Sequence, residues 1–430
     1  MLTVAYLANE FPVAVEPYVA EEIEELRQRG VNVIAGSVRR SRSSEASLAL
    51  SEAKTVCLEP IRGAILLRAF WLLLRRRKVV AGLFVRVLVQ GTESPKRRLK
   101  ALLHTYLGAC YAIRLQEHRV DHIHVHHGYF GSWIAMVAAK LLGVDFSLTL
   151  HGSDLLVNNA YLDAKLTSCL FCLTISEYNR RHILRNFPAV EPGKIVLSRL
   201  GVDVPARGEP LCPQIIHHAS QSFSLLAVGR LHAVKDHAFL IRACAELRDR
   251  GLEFECAIAG EGPERQHLEF LIGLNDLQGQ LTLLGHVPME RMDSLYRRAD
   301  VVVLTSRSEG IPLVLMEAMA RGKITLAPAI TGIPELVIPG KTGFLYTPGA
   351  TNDFVEKILS LAEQMRGVDR NVASRLEWLR HAARAQVLHK FSRRKNLSRF
   401  GDLFLQRVAS QQLSSQDRSL PHEDLVLQQI

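Results

Sequence analysis

Short apolar runs alternate with amphipathic helix patterns along nearly the whole chain, and this alternation limits the fold more than any other feature. The first series opens with "LTVAYLA", passes through the helical pattern "PYVAEEIEELRQRG", and continues with "VNVIAGS", "HIHVHH", "FSLTLHG" and "LFCLTIS". A second series runs from "FSLLAVGR" through "FECAIAG", "LTLLGH" and "VVVLTS" to "KITLAPA", with helical patterns between. Runs that are apolar throughout predict strands buried on both faces, hence parallel sheets covered by helices on each side. A length of 430 residues exceeds what one core usually serves. Pro and Gly concentrate in "LGVDVPARGEPLCPQ", residues 200–214. The expectation is therefore α/β: two doubly wound, Rossmann-like domains, 1–200 and 201–395, facing a central cleft lined by the carboxyl ends of both sheets. A helix over 396–410 is expected to pack back toward the first domain, and the polar stretch 411–430 to form a flexible tail.

Charge is concentrated in one place. Residues 62–100 hold eleven Lys and Arg against the single acid Glu93, in a chain of net charge +10. Arginines break every apolar run there well short of the ~20 residues a membrane-crossing helix needs. Basic and apolar residues interleave in "RGAILLRAFWLLLRRRKVVAGLFVRVLVQ", which predicts helices lying on an anionic membrane surface, with Phe70, Trp71 and Leu72 to Leu74 entering it. The alternative is a pair of amphipathic helices packed on the domain with solvated basic faces. No nucleic-acid recognition module accompanies the charge. The first residues read as no signal peptide, and an odd count of seven cysteines fits a reducing compartment. Cys169 and Cys172 form a C-x-x-C whose plainest reading is two small buried residues. The location expected is cytoplasmic, peripheral on the inner face of the cytoplasmic membrane.

Three stretches could carry chemistry. In "AVGRLHAVKDH", Gly229 permits a tight turn, and Arg230 and Lys235 stand at the mouth of a helix whose free N–H groups add to a diphosphate site. In "AIAGEGPERQHL", Gly260 and Gly262 let backbone approach a ligand closely. In "SRSEGIPLVLMEAMARGK", Gly310 and Pro312 mark a helix start, so Glu309 lies outside the helix and Glu317 about a turn and a half inside. At ~1.5 Å rise per residue the two carboxylates stand roughly 10 Å apart along the axis. The N–H groups of residues 310 to 313 between them could hold an anion, while each acid accepts from hydroxyls. A sugar, a diphosphate and a ribose fit that order; a shared acid–base role on one bond does not. Glu317 could instead be a buried helix acid paired with an Arg.

Taken together, "AVGRLHAVKD", "AGEGP", "LGHVP" and "TSRSEGIPLVLMEAMARGK…GIPELVIPGKTGFLYTPG" resemble the retaining glycosyltransferases of family 4, which have the GT-B fold. "DHIHVHHGYFGSWIAMVAAKLLGVDFSLTLHGSD" and "LTISEYNRRHI" extend the resemblance to the first half, toward members that build bacterial exopolysaccharides and related cell-surface glycans. The resemblance implies that Arg230 and Lys235 neutralise the donor diphosphate and departing nucleotide. It implies that Glu309 holds hydroxyls of the transferred sugar, with the backbone of Gly310, Ile311, Pro312 and Leu313 nearby, and that Glu317 holds the ribose. His151 would stand near the reacting sugar, with His126 and Asp154 on the acceptor side, and backbone at His286 and Val287 would meet the base.

No D-x-D occurs in the chain, so no metal or cofactor is expected, and fixed cations with a helix terminus would take the leaving-group charge. The expected partners are a nucleotide-sugar, a glycan or lipid-linked acceptor and an anionic membrane. Competing readings are a GT-B nucleotide-sugar epimerase, a phosphorylase, or a non-catalytic membrane-tethered binding module. His124 and His126 alternate on a strand and so share a face, but the sequence gives His124, His126 and His127 no evident carboxylate or Cys partner for a metal. Three departures from the family pattern stand out: Thr331 replaces the first of two glycines before "IPE", "GKITLAP" lacks the usual Pro-Val, and "ANEFPVAVEPYV" lacks Gly-Gly.

Overall fold

The computed structural model describes residues 1–13, 16–40, 55–91, 93–157, 159–204, 222–367 and 369–417. The chain divides into two compact units. The first comprises Met1–Ile175, Arg180–Ser198 and the chain from Leu397 onward; the second comprises Ser176–Asn179 and Arg199–Asn396. Most of the Pro- and Gly-rich join, 205–214, and the end of the expected tail, 418–430, lie outside the described residues.

The first unit is built on a seven-stranded sheet of order β3-β2-β1-β4-β5-β6-β7, every neighbouring pair parallel. Its strands are β1 (Thr3–Phe11), β2 (Asn32–Arg40), β3 (Val56–Cys57), β4 (His122–His126), β5 (Asp145–Leu150), β6 (Cys172–Thr174) and β7 (Ile195–Leu197). Because helices cover both faces, the strands carry no solvent side, and β4 is buried along its whole length despite three histidines. His122 and His124 both meet the Ser147 hydroxyl of β5 at 2.7 Å, and His124 Nε2 meets Thr149 Oγ1 at 3.0 Å. Burial pushes His122 down to about 3 and His124 well below its usual value, so both are neutral core residues. The helix Arg393–Asp417 brings Phe400, Phe404 and Val408 into the same core as Val4, Tyr6 and Ile23. Arg29 fastens it by donating to the Ser398 carbonyl and pairing with Asp402.

The second unit repeats the plan with six parallel strands, order β10-β9-β8-β11-β12-β13. These are β8 (Phe223–Val228), β9 (Phe254–Ala259), β10 (Leu281–Gly285), β11 (Val301–Val303), β12 (Ile324–Pro328) and β13 (Phe344–Tyr346). In each sheet the strand order reverses once, between β1 and β4 and between β8 and β11. Loops leaving the carboxyl ends of those strands diverge to opposite faces, and the crevice so formed is where such sheets bind ligands.

Residues 63–115 form three helices, Gly63–Arg75, Arg77–Leu88 and Pro95–Leu115. On the first, Leu67 (67% exposed), Phe70 (53%), Trp71 (55%) and Leu74 recur at helical spacing on the outward side. Leu72 and Leu73 pack inward on the core instead, which corrects the expectation that they share the outward face. Arg86 is withdrawn from that surface by bidentate contacts to Asp163 and a pair with Glu93. Arg68 and the run Arg75 to Lys78 are exposed. No described helix is long and apolar enough to cross a membrane. Cys169 and Cys172 are buried, and burial raises the Cys169 thiol to about 12, so neither is a thiolate at neutral pH.

Candidate active site

In the second unit the predicted residues gather at the β8/β11 reversal. The loop after β8 carries Gly229 and the exposed Arg230, then a 3-10 turn, Ala233–Lys235, before the helix His237–Asp249. Lys235 Nζ lies 2.5 Å from Glu309 Oε1, and Ser306 Oγ donates to the same oxygen at 2.6 Å. Thr305 Oγ1 donates to the Lys235 carbonyl at 2.9 Å, tying the loop after β11 to the loop after β8. The lysine and acid, far apart in sequence, are thus one half-buried ion pair.

The glycines earn their positions by contact. A Cβ at Gly260 would fall 1.9 Å from the Gly229 carbonyl oxygen, and one at Gly262 would fall 2.3 Å from that of Leu231. The two loops lie backbone against backbone, laced by Gly229 N to Ala259 O and Leu231 N to Glu261 O, both 2.9 Å. Gly260 N also donates to Gly285 O, which brings the exposed His286 and half-buried Val287 beside this rim.

Helix Leu313–Ala320 starts later than the sequence suggested. Pro312 is its N-cap, in extended conformation, and has no N–H, so residues 310–312 precede the helix. Leu315 N already donates to Pro312 O, leaving the Leu313 and Val314 amides as the open first-turn donors rather than those of 310 to 313. Glu317 lies inside this helix; its partner is a tyrosine, not an arginine. Tyr296 Oη donates to Glu317 Oε2 at 2.7 Å, while Arg321 stacks over the Tyr296 ring. Thr331 adopts φ +45°, the left-handed region a β-branched residue rarely enters, and its hydroxyl donates to the Glu309 carbonyl. Its neighbour Gly332 presses so close that a Cβ would stand 2.2 Å from the Gly310 oxygen.

In the first unit the predicted His126, His151 and Asp154 lie at the β1/β4 reversal, with His126 and Asp154 fully buried. Neither therefore presents a side chain to an acceptor, which corrects that part of the sequence reading. Asp154 accepts from the backbone N–H groups of Gly128 (2.9 Å), His151 (3.1 Å) and Gly152 (2.7 Å), locking the loops after β4 and β5 together. Burial would raise its carboxyl, but His127 and these donors hold it below the usual carboxylate range. Burial likewise opposes a charge on His127, yet Asp154 (3.7 Å) and Glu16 (3.0 Å) outweigh it and raise the imidazole to about 10. His151, half-buried, is pushed well below its usual value by burial and then by that cation.

A carboxylate does stand beside the histidines. Glu22, from helix Pro17–Gln28, brings its oxygen within 4.8 Å of ligand atoms on His124 and His126. Those atoms are engaged in hydrogen bonds: His126 Nε2 with Glu22 and Tyr6, and both His124 nitrogens with Ser147 and Thr149. Sequence reasoning missed Tyr6, Glu16, Glu22 and Tyr296, because each acts through a partner brought near only by folding; it also missed Ser306, although that residue stands only three positions from Glu309.

Two family models cover most of the chain. Residues 14–201 match the glycosyl transferase 4-like domain, and residues 213–374 match glycosyl transferases group 1. The chain is a GT-B glycosyltransferase of the family 4 type. It is 28% identical to alpha-D-kanosaminyltransferase of Streptomyces kanamyceticus over 60% of this chain and 73% of that one. It is 31% identical to the amylovoran biosynthesis glycosyltransferase AmsK of Erwinia amylovora over 40% of this chain and 42% of that one. The chain thus spans well under half the length of AmsK. Anabaena Alr3699/HepE, solved in complex with UDP-glucose, shares the fold at a TM-score of 0.66, 16% identity, over 94% of this chain and 100% of that one. This GT-B glycosyltransferase carries its lysine–glutamate pair at the β8/β11 crevice.

Proposed function

We propose that this glycosyltransferase moves a sugar from a nucleotide diphosphate donor to a glycan or lipid-linked acceptor during assembly of a cell-surface polysaccharide, retaining the anomeric configuration and using no metal. The observation that carries the reading is the Lys235–Glu309 pair at the β8/β11 reversal, flanked by Arg230 and the open amides of Leu313 and Val314. An incoming diphosphate takes Lys235 and Arg230 as counter-charges and the helix's positive end as a cradle. That releases Glu309 to accept from hydroxyls of the transferred sugar, while Glu317, oriented by Tyr296, accepts from the ribose. As the bond from the anomeric carbon to the phosphate oxygen breaks, the fixed cations stabilise the departing charge. The acceptor oxygen bonds on the same face and its proton passes to the leaving phosphate. The HepE complex with UDP-glucose and the naming of AmsK for amylovoran biosynthesis support the donor class and the polysaccharide setting.

The same reading includes an inner-membrane surface as partner. The outward row Leu67, Phe70, Trp71 and Leu74, bordered by Arg68 and Arg75 to Lys78, suits insertion to headgroup depth on an anionic leaflet.

Incubation with UDP-, GDP- and ADP-sugars, with and without a polyprenyl-diphosphate-linked glycan, tests the reaction. A transferase releases nucleotide only when acceptor is present. Turnover of the donor sugar without acceptor would support an epimerase instead, and binding without any turnover a non-catalytic module. Glu309→Ala should lower transfer by about 10²-fold or more while nucleotide affinity changes by less than about threefold, because the lost contacts are to the sugar. An unaltered rate would remove Glu309 from the reaction.

A further inference from the structure

Two hydroxyls hold Glu309. Thr331 Oγ1 donates to its backbone carbonyl, and Ser306 Oγ donates to its Oε1 at 2.6 Å. Lys235 Nζ reaches the same Oε1 at 2.5 Å, so lysine and serine share one oxygen, and Oε2 takes no hydrogen bond among the described residues. The two donors differ in what they can do next. Lys235 belongs to the loop after β8 and carries its charge on a flexible four-carbon stem, which can turn to a phosphate. Ser306 is 2% exposed, lies three residues before the acid, and spends its one proton on it. The two loops are fastened by other contacts. Arg307 N donates to Val234 O at 2.8 Å, Arg307 Nε to Asp236 Oδ2 at 2.7 Å, and Thr305 Oγ1 to Lys235 O at 2.9 Å. The Ser306 hydroxyl joins none of those ties. Its hydrogen bond sets the direction of a carboxylate, not the course of the chain.

We propose that Ser306 is a positioning residue for sugar transfer: it anchors Oε1 of Glu309, so that Oε2 stays aimed at hydroxyls of the transferred sugar after Lys235 has turned to the diphosphate. The proposal rests on the reading of Glu309 as the acid that holds the sugar. Lysine alone would orient that acid before the donor arrives and release it on arrival. A carboxylate left without an anchor gains rotamer freedom, which opposes the alignment that transfer requires. The serine bond persists through the exchange. With the Glu309 side chain 12% exposed, that bond meets little competition from water, and a charged acceptor makes it one of the stronger kind.

The test uses the full chain. Transfer is measured from whichever UDP-, GDP- or ADP-sugar it accepts to a polyprenyl-diphosphate-linked glycan, and affinity for the matching nucleotide diphosphate by calorimetry. Ser306→Ala should lower kcat about tenfold or more, with nucleotide affinity within about twofold and the thermal transition unmoved. Added to Glu309→Ala, the same substitution should lower kcat by less than about twofold further, because the serine acts only through the acid. Three results overturn the inference while leaving Glu309 in its role. They are a kcat in Ser306→Ala within about threefold of the unaltered protein, a nucleotide affinity lost by the same factor as kcat, and an equal loss with and without Glu309. If Glu309→Ala transfers at the unaltered rate, or no donor of the panel is transferred, the proposed reaction itself fails and the inference falls with it.

Discussion

Thr331 sits where the backbone would prefer glycine, and its hydroxyl is what the strain secures. A non-glycine residue in the left-handed region costs about 1–3 kcal/mol, and the bond to the Glu309 carbonyl returns about 1 kcal/mol. Thr331→Val keeps the strain and loses the bond, whereas Thr331→Gly loses both. Urea denaturation should therefore find the valine variant less stable than the glycine variant by about 1–2 kcal/mol; the opposite order would contradict this account. His127 supplies a pH signature. Its imidazole is raised from 6.5 to about 10 in the fold, so the protein binds one more proton than the unfolded chain between those values. The stabilisation is complete below pH 6.5 and fades as pH climbs toward 10. A stability profile of His127→Gln should be flatter than that of the unaltered protein across that window. Of these residues, the sequence displayed Thr331 as an oddity and His127 as one of a cluster; it displayed neither the φ angle nor the two flanking carboxylates. The pairing of Glu22 with His126 spans 104 positions and has no local pattern to betray it.

Among the elements, strands were the most legible, because a strand covered on both faces must be apolar throughout and therefore reads as a run. Helix starts were less so. Pro312 was expected inside the first turn of its helix and instead caps it, since an N-cap residue keeps an extended ψ that proline readily adopts. The helix Gly63–Arg75 shows the reverse limit. Its composition announces an amphipathic helix, but which leucines face out depends on the direction from which the core approaches, and Leu72 and Leu73 took the inward side. The outward aromatic row and its arginines lead to a prediction about this element alone. Replacing Arg75, Arg76 and Arg77 with Glu should abolish sedimentation with phosphatidylglycerol-containing vesicles at low salt, while vesicles of neutral lipid bind neither protein. Equal sedimentation of both proteins with anionic vesicles would end the membrane proposal for this face.

At the scale of the molecule, the chain returns to its first unit through the helix Arg393–Asp417. Phe404 is fully buried among residues of β1 and of helix Pro17–Gln28, so Phe404→Ala should cost about 3–5 kcal/mol in the first unit. The check is a lowered first thermal transition with the nucleotide affinity of the second unit retained. An unchanged transition would mean that the helix adds little to that core. By itself the sequence determined the class of fold, because period and burial are written in the order of apolar residues. It also displayed the stretches that gather at the β8/β11 reversal, because loops at the ends of parallel strands keep their residues in short contiguous runs. Tertiary structure alone decided which charges meet: Lys235 with Glu309, Tyr296 with Glu317, Glu22 with His126, and Asp154 with backbone rather than substrate. The physical reason is that a hydrogen bond acts over about 3 Å, and only a folded sheet brings distant loops within that reach.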